Sequence, residues 1–381
     1  MVFSVSSARS ESDCPDIDMR ASVAHVMAGS ARGGAELFFE RLAIAQHKSG
    51  RTTHALIRTE AGREARLRAA GVPTQCFRFG GPIDFWTRKQ LKRALDEIQP
   101  DVVVAWMSRA AQKLPEVRGR LAGRLGGYYD LSNYRRCTDL IGNTRGLARW
   151  MVEQGWDESQ VHYLPNFATD FSGVMPERPS FLAPNTPFAL ALGRLHKNKA
   201  FDVLIRAMRH LPGQHVVIAG EGPERGALEA LARSEGVADR VHMPGWVTQT
   251  GPWLRACTLL VCPSRIEPLG NVVIEALSAR VPVVASAIQG PEEILAGTED
   301  GLLAPVEDDR ALAAQMGEVF ENAALAERLA GNGRTRFERE FAEDVVMEQW
   351  SDFLGCGEAY IRRPYDVYKL RGPLGSPKGA R

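Results

Sequence analysis

Short apolar runs alternate with longer amphipathic stretches along most of this chain. Residues 22–28 and 101–105 are nearly unbroken apolar runs, too short for a buried helix and suited to strands covered on both faces. Residues 35–47 place Leu37, Phe38, Leu42 and Ala45 at helical spacing. Residues 53–57 and 75–79 read as short strands, and 86–98 as a helix that stops before Pro100. Residues 140–142 and 161–164 read as two further strands. Pro176, Pro179, Pro184 and Pro187 then break the rhythm, which marks 171–187 as a linker.

Beyond the linker the alternation restarts. Strands are expected at 188–192, 216–220, 241–243, 259–262, 281–285 and 301–304. Helices are expected at 202–210 and 224–236, and 308–354 is mostly helical. Strand–helix alternation of this kind implies parallel sheets covered by helices. The expected fold is therefore α/β, with two doubly wound, Rossmann-like domains facing a cleft. A first domain is expected at 20–175 and a second at 187–340. Residues 1–19 read as a loose leader. The Gly- and Pro-rich residues 356–381 read as a disordered tail.

Length agrees with two domains, since 381 residues exceed one ordinary domain. No run approaches the roughly 20 apolar residues needed to span a bilayer. Residues 1–19 carry Glu11, Asp13, Asp16 and Asp18 and lack the basic start and apolar run of a signal peptide. The six cysteines are scattered without metal-ligand spacing. These features predict a cytoplasmic protein with reduced thiols. The net charge of +1 hides an asymmetry: residues 20–186 carry 24 basic and 16 acidic side chains, and 187–355 carry 16 and 24. A basic first half suggests an anionic partner on that side. No nucleic-acid partner is expected.

The most informative stretch is Glu267-Pro-Leu-Gly-Asn-Val-Val-Ile-Glu275, which lies between two expected strands. Ligands of doubly wound domains bind at strand carboxyl ends, where helix N-termini offer free N–H groups. Gly270 and Asn271 would present those groups to an anion. Glu267 and Glu275 would accept hydrogen bonds from hydroxyls. A nucleotide-sugar carries both kinds of group. Three further segments fall at strand ends. Gly193-Arg-Leu-His-Lys-Asn-Lys199 supplies Arg194 and Lys199 as counter-charge for a diphosphate. Gly220-Glu-Gly-Pro223 is a tight turn into a helix, and Pro244-Gly-Trp-Val247 could offer backbone groups to a nucleobase edge. Each alone also reads as ordinary loop structure.

Taken together, the four segments closely resemble the retaining glycosyltransferases of the GT-B fold, specifically glycosyltransferase family 4 (group 1). The resemblance covers 20 to about 354 and is strongest in the second half. It implies that Arg194 and Lys199 contact the donor diphosphate, Glu267 lies against the transferred sugar and Glu275 holds the ribose hydroxyls. Leu269, Gly270 and Asn271 would contact sugar and phosphates. Gly193, Glu221, Gly222 and Val247 complete the donor side. The first-domain loop Gly29-Ser-Ala-Arg-Gly-Gly34 would close over donor and acceptor through Gly33 and Gly34, with Glu36 following. The helix at 341–355 would cross back to the first domain.

Two departures stand out. Relatives of this kind often carry a histidine after the strand matching 101–105, whereas this chain has Trp106-Met-Ser-Arg109; Ser108 or Arg109 could substitute. Lys199 is followed by Ala200 where glycine is usual, a change read as minor. The Asp16-Ile-Asp18 triplet spells a metal-binding pattern but lies in the leader, so no metal and no cofactor beyond the nucleotide-sugar are expected. The implied activity is transfer of a hexose or N-acetylhexosamine, from a UDP-sugar first of all, to a glycan or lipid-linked acceptor in lipopolysaccharide or surface polysaccharide synthesis. A nucleotide-sugar epimerase or hydrolase of the same fold, and a two-domain sugar-binding protein, remain as alternatives. Residues 85–93 place Phe85 and Trp86 beside Arg88, Lys89, Lys92 and Arg93, a strip suited to peripheral contact with anionic lipid.

Overall fold

The computed structural model describes residues 21–29, 33–81, 84–295 and 299–355. The expected leader, the expected tail, Asp16, Asp18 and residues 30–32 of the glycine loop lie outside these. The first sheet has seven strands: β1 (Val23–Met27), β2 (Thr53–Arg58), β3 (Thr74–Phe77), β4 (Val102–Trp106), β5 (Arg120–Leu125), β6 (Asp139–Gly142) and β7 (Val161–Tyr163). Their order is β3-β2-β1-β4-β5-β6-β7, and every pairing is parallel. Its helices are α1 (Gly34–Lys48), α2 (Ala61–Ala69), α3 (Phe85–Ile98), α4 (Met107–Lys113) and α5 (Arg145–Glu153).

The second sheet has six strands: β8 (Phe188–Leu192), β9 (His215–Ala219), β10 (Val241–Gly245), β11 (Leu259–Cys262), β12 (Val283–Ser286) and β13 (Leu302–Ala304). Its order is β10-β9-β8-β11-β12-β13, again all parallel. The accompanying helices are α6 (Phe201–Ala207), α7 (Arg225–Ser234), α8 (Gly251–Ala256), α9 (Asn271–Ser278), α10 (Gln289–Leu295), α11 (Asp309–Glu321) and α12 (Ala323–Glu340). The last helix is α13 (Glu343–Gly355). No helix or strand occurs between 164 and 187, the proline-rich stretch.

The apolar strands are buried on both faces, as their composition requires. In β1, Val23 and Met27 enter one core cluster while Ala24 and Val26 enter the other. The first face is covered by Phe38, Phe39 and Leu42 of α1. It is also covered by Val346, Trp350 and Phe353 of α13, so the end of the described chain seals the first sheet. Trp350 and Phe353 are fully buried, which contributes on the order of 4 kcal/mol to holding α13 there.

Both sheets reverse strand order between a first and a fourth strand. In the first sheet this falls at β1 and β4, and in the second at β8 and β11. Such switch points open a crevice at the carboxyl ends of the strands. Strand β5 did not stand out in the sequence because Arg120 and Arg124 interrupt its apolar pattern. In the structure Arg120 pairs with Asp139 at 2.7 Å, and Arg124 is buried. Helix α2 was equally silent, since only Arg63 and Leu67 of its nine residues are buried.

Candidate active site between the domains

Strand β8 runs into Gly193, whose φ of +152° suits glycine. The turn after β9 lies directly against this loop. A Cβ on Gly220 would fall 1.8 Å from the Gly193 carbonyl oxygen, and one on Gly222 would fall 2.3 Å from the Leu195 carbonyl oxygen. These glycines therefore serve close backbone approach, and Leu195 N donates to the Glu221 carbonyl at 3.0 Å. From the other side Arg265 braces the loop. Its guanidinium donates to the Lys197 carbonyl at 2.7 Å and pairs with Asp202 at 2.8 Å. Its backbone N donates to the Asn198 carbonyl at 2.8 Å.

So fixed, the β8 loop aims Lys199 at the loop after β11, where its ammonium forms an ion pair with Glu267. Burial works against the Lys199 charge, but the Glu267 carboxylate outweighs it and holds the Lys199 pKa above its ordinary value. The next residue, Ala200, has a left-handed φ of +51°. The change from the usual glycine is thus a strained substitution, not a minor one, and costs roughly 1 kcal/mol.

Gly270, at φ +93°, turns the chain into α9 without a capping side chain. Val273 N donates to the Gly270 carbonyl at 2.9 Å, so the N–H groups of Asn271 and Val272 are the ones left for an anion. Gly290 backs this loop. Its N donates to the Glu267 carbonyl at 3.1 Å, and a Cβ there would meet the Leu269 carbonyl oxygen at 2.3 Å.

The first domain meets the same point. A Cβ on Gly34 would lie 2.9 Å from Asn271 Nδ2. Asn166 Nδ2 donates to Asn271 Oδ1 at 2.8 Å, and Arg124 donates to Asn166 Oδ1 at 2.7 Å. Arg124 sits over the rings of Phe38, Trp106 and Trp350, 4.9, 5.0 and 5.7 Å from their centroids. Burial pulls its pKa down to about 9, still charged at neutral pH. The buried Glu36 carboxylate folds over Gly29 and Gly33, where a Cβ would come within 2.4 and 2.3 Å of its oxygens. Elsewhere Glu293 of α10 accepts from Arg145 N and Gly146 N, at 2.5 and 2.7 Å, at the start of α5. Between the domains lies a cleft of about 280 Å³. Gly34, Glu36, Trp106, Met107, Arg124 and Asn166 line one side, and Glu267, Leu269, Gly270 and Asn271 the other.

The structure thus brings Gly34, Lys199, Glu267, Leu269, Gly270 and Asn271 together, with Gly33 and Gly193 beside them. It does not bring in every expected residue. Arg194 is exposed, does not line the cleft and has no ion-pair partner among the described residues. The Glu221 carboxylate is taken up by Arg225. Gly222 serves backbone packing, and Val247 packs against the second domain's core. Glu275 lies one turn along α9, outside the cleft lining, and Arg41 of α1 reaches it at 3.6 Å. Burial raises the Glu275 pKa, partly offset by Arg41.

Neither candidate substitute for the histidine after β4 reaches the cleft. Ser108 Oγ lies 3.3 Å from Tyr134 Oη, and Arg109 lines a different cavity. Instead Met107, at φ +62°, lines the cleft. A histidine does lie nearby, but on β1. His25 Nδ1 accepts from Trp106 Nε1 at 3.1 Å and its Nε2 faces Gln46 at 2.6 Å. Burial holds its pKa down to about 4, so it packs as a neutral ring. Arg124, Asn166, Arg265 and Arg41 were not found from the sequence.

Two doubly wound domains face one cleft at the carboxyl ends of their strands, where ligands of such folds bind. Comparison with known proteins makes the class specific. A family described as glycosyl transferases group 1 matches residues 177–336. The lipopolysaccharide core biosynthesis glycosyltransferase LpsD of Rhizobium meliloti (strain 1021) is 32% identical over 341 residues, covering 88% of this chain and 99% of that protein. LpsE of the same organism is 31% identical over 326 residues, covering 84% and 96%. Among solved structures, a glycosyltransferase from Rickettsia africae ESF-5 superposes with a TM-score of 0.76 at 14% identity, over 88% of this chain and 98% of that one. Anabaena HepE in complex with UDP gives 0.75 at 18%, over 87% and 99%. The chain belongs to the group 1 glycosyl transferases and is a glycosyltransferase of the GT-B fold.

Proposed function

We propose that this enzyme is a retaining, metal-independent transferase of glycosyltransferase family 4, moving a hexose or N-acetylhexosamine from a UDP-sugar to a lipopolysaccharide core or related surface glycan. The observation that carries the reading is the half-buried Lys199–Glu267 pair beside the uncapped start of α9. The ammonium has three donors, so it can hold Glu267 and a diphosphate oxygen together. Arg194 and the α9 N–H groups would share the leaving-group charge. Glu267 then faces the transferred sugar, and no carboxylate is assigned as a covalent nucleophile. The departing phosphate would take the acceptor proton on the same face. The names of the relatives support a lipopolysaccharide acceptor, and the UDP complex of HepE supports a uridine donor. Turnover unchanged by EDTA is expected.

Glu275 is assigned to the ribose hydroxyls, which requires Arg41 to release it when donor enters. UDP should raise the melting temperature by mass action. Glu275→Ala should weaken UDP binding about tenfold with little change in kcat. Unchanged UDP affinity in that variant would remove the ribose role.

Peripheral contact with anionic membrane is part of the reading. Phe85 and Trp86 are 76% and 72% exposed at the start of α3. Lys92 and Arg93 pair with Asp96 and Glu97 at 2.9 and 3.0 Å, which leaves Arg88 and Lys89 without an ion pair among the described residues, with Lys89 Nζ 5.9 Å from the Trp86 ring centroid. Among the described residues no helix is long and apolar enough to cross a membrane. Flotation with phosphatidylglycerol vesicles should fall severalfold in Trp86→Ala; unaltered flotation would end the idea.

A further inference from the structure

A second cavity of about 610 Å³ opens on the first domain at the carboxyl ends of β2, β3 and β4. Its lining includes Arg58, Arg88, Arg109 and Lys113, with Asp84 and Phe85. Arg58, Arg88 and Arg109 have no carboxylate partner among the described residues. Lys113 donates to the carbonyls of Gly81 and Asp84 at 2.9 and 3.2 Å, which anchors its ammonium at the wall. The one carboxylate of the lining is already engaged. Asp84 accepts from Thr87 Oγ1, Thr87 N and Gly80 N at 2.5, 3.0 and 2.6 Å. Those hydrogen bonds hold its pKa down to about 2. Four cations thus face one space against the single carboxylate of Asp84, which leaves positive charge in excess. Like charges gathered this way repel unless an anion joins them.

Cavity and cleft both open at the carboxyl ends of the first sheet's strands, and they share no lining residue. Met107 lines the cleft, and Arg109, two residues on in α4, lines the cavity. A molecule whose acceptor hydroxyl lies in the cleft can extend past α4 into the basic space. We propose that this cavity binds a phosphoryl group carried by the acceptor glycan, so that the enzyme selects phosphorylated acceptors. Guanidinium forks match phosphate oxygens two at a time, which suits three arginines better than a neutral sugar would. Phe85 at the rim offers an apolar face to the ring that bears the phosphate. The proposal rests on the reading that the first domain receives the acceptor.

The test uses the full chain with saturating UDP, so that the diphosphate site is filled. Glucose 6-phosphate is the probe and glucose the neutral control, with binding followed by calorimetry or ligand-observed NMR. Glucose 6-phosphate should bind at least tenfold more tightly than glucose, and less tightly as salt rises. Arg58→Ala/Arg109→Ala should weaken it at least tenfold and leave UDP binding intact. Arg109→Ala alone, at an exposed position, keeps the test valid should the pair fold poorly. Arg93→Ala, on α3 but paired with Glu97, should change nothing. Equal binding of glucose and glucose 6-phosphate, or undiminished binding in the Arg109 variants, would overturn the site. If the same variants lose binding to phosphatidylglycerol-containing vesicles but keep glucose 6-phosphate, the cavity takes a lipid headgroup and the proposal also falls. Failure of UDP itself to bind would overturn the nucleotide-sugar reading instead, and glucose 6-phosphate binding would still report on this cavity.

Discussion

Lys199→Ala should lower kcat by about a thousandfold while changing donor affinity far less. The leaving diphosphate gains negative charge as the sugar–oxygen bond breaks, and a fixed cation stabilises that charge more than it stabilises the bound donor. Removing one such preorganised donor costs on the order of 10²–10³ in kcat, or roughly 3–4 kcal/mol. Here two effects add. Lys199 is largely buried, so its field is weakly screened. Its loss also leaves Glu267, with only 13% of its side chain exposed, facing the incoming phosphates without a counter-charge. The second effect can be separated from the first. Glu267→Gln on top of Lys199→Ala should recover part of the lost donor affinity, because the repulsion disappears. It should recover little kcat, because the leaving group still lacks its cation. Near-normal turnover in Lys199→Ala would remove Lys199 from the chemistry.

Much of this site could be read from residue order because doubly wound folds place function at strand ends. The strands around Gly193 and Glu267 are short apolar runs bounded by glycine and proline, and such runs announce themselves. Knowing where they end fixes which loops can meet. The Lys199–Glu267 contact follows from two loops flanking the β8/β11 switch point. What stayed hidden depends on partners distant in sequence. Glu221 looked available until Arg225, one helical turn on, claimed it. Glu275 looked aimed at the ligand, but Arg41 approaches it from the other domain. Arg265 is an ordinary arginine in sequence, and only the fold sets it between Lys197, Asp202 and Glu307. Ala200 is similar: nothing in the letter reveals a left-handed φ. Strand β5 was missed because a buried arginine breaks the very pattern by which strands are found.

That buried arginine leads to the other large effect. Arg124→Met should reduce kcat/KM about a hundredfold while leaving the fold equally stable or more so. A charge enclosed by Phe38, Trp106 and Trp350, without a carboxylate, is expensive to desolvate, and its cation–π contacts offset only part of that cost. An apolar side chain of similar length avoids the expense; exchanges of this kind are often neutral or stabilising by about 1–4 kcal/mol. A residue that costs stability yet lines the cleft is best explained by what it holds. Arg124 fixes Asn166, and Asn166 fixes Asn271 at the start of α9, so the cation ties the first domain to the turn that enters α9. It is also the one cation that the first domain contributes to the described lining of the cleft. Asn166→Ala should reproduce much of the activity loss without any gain in stability, since it breaks the same chain of hydrogen bonds but keeps the buried charge. A melting temperature several degrees lower in Arg124→Met, with activity falling in step, would make Arg124 a simple core residue. Stability held or raised while turnover collapses would show that the fold tolerates this charge for the sake of the cleft.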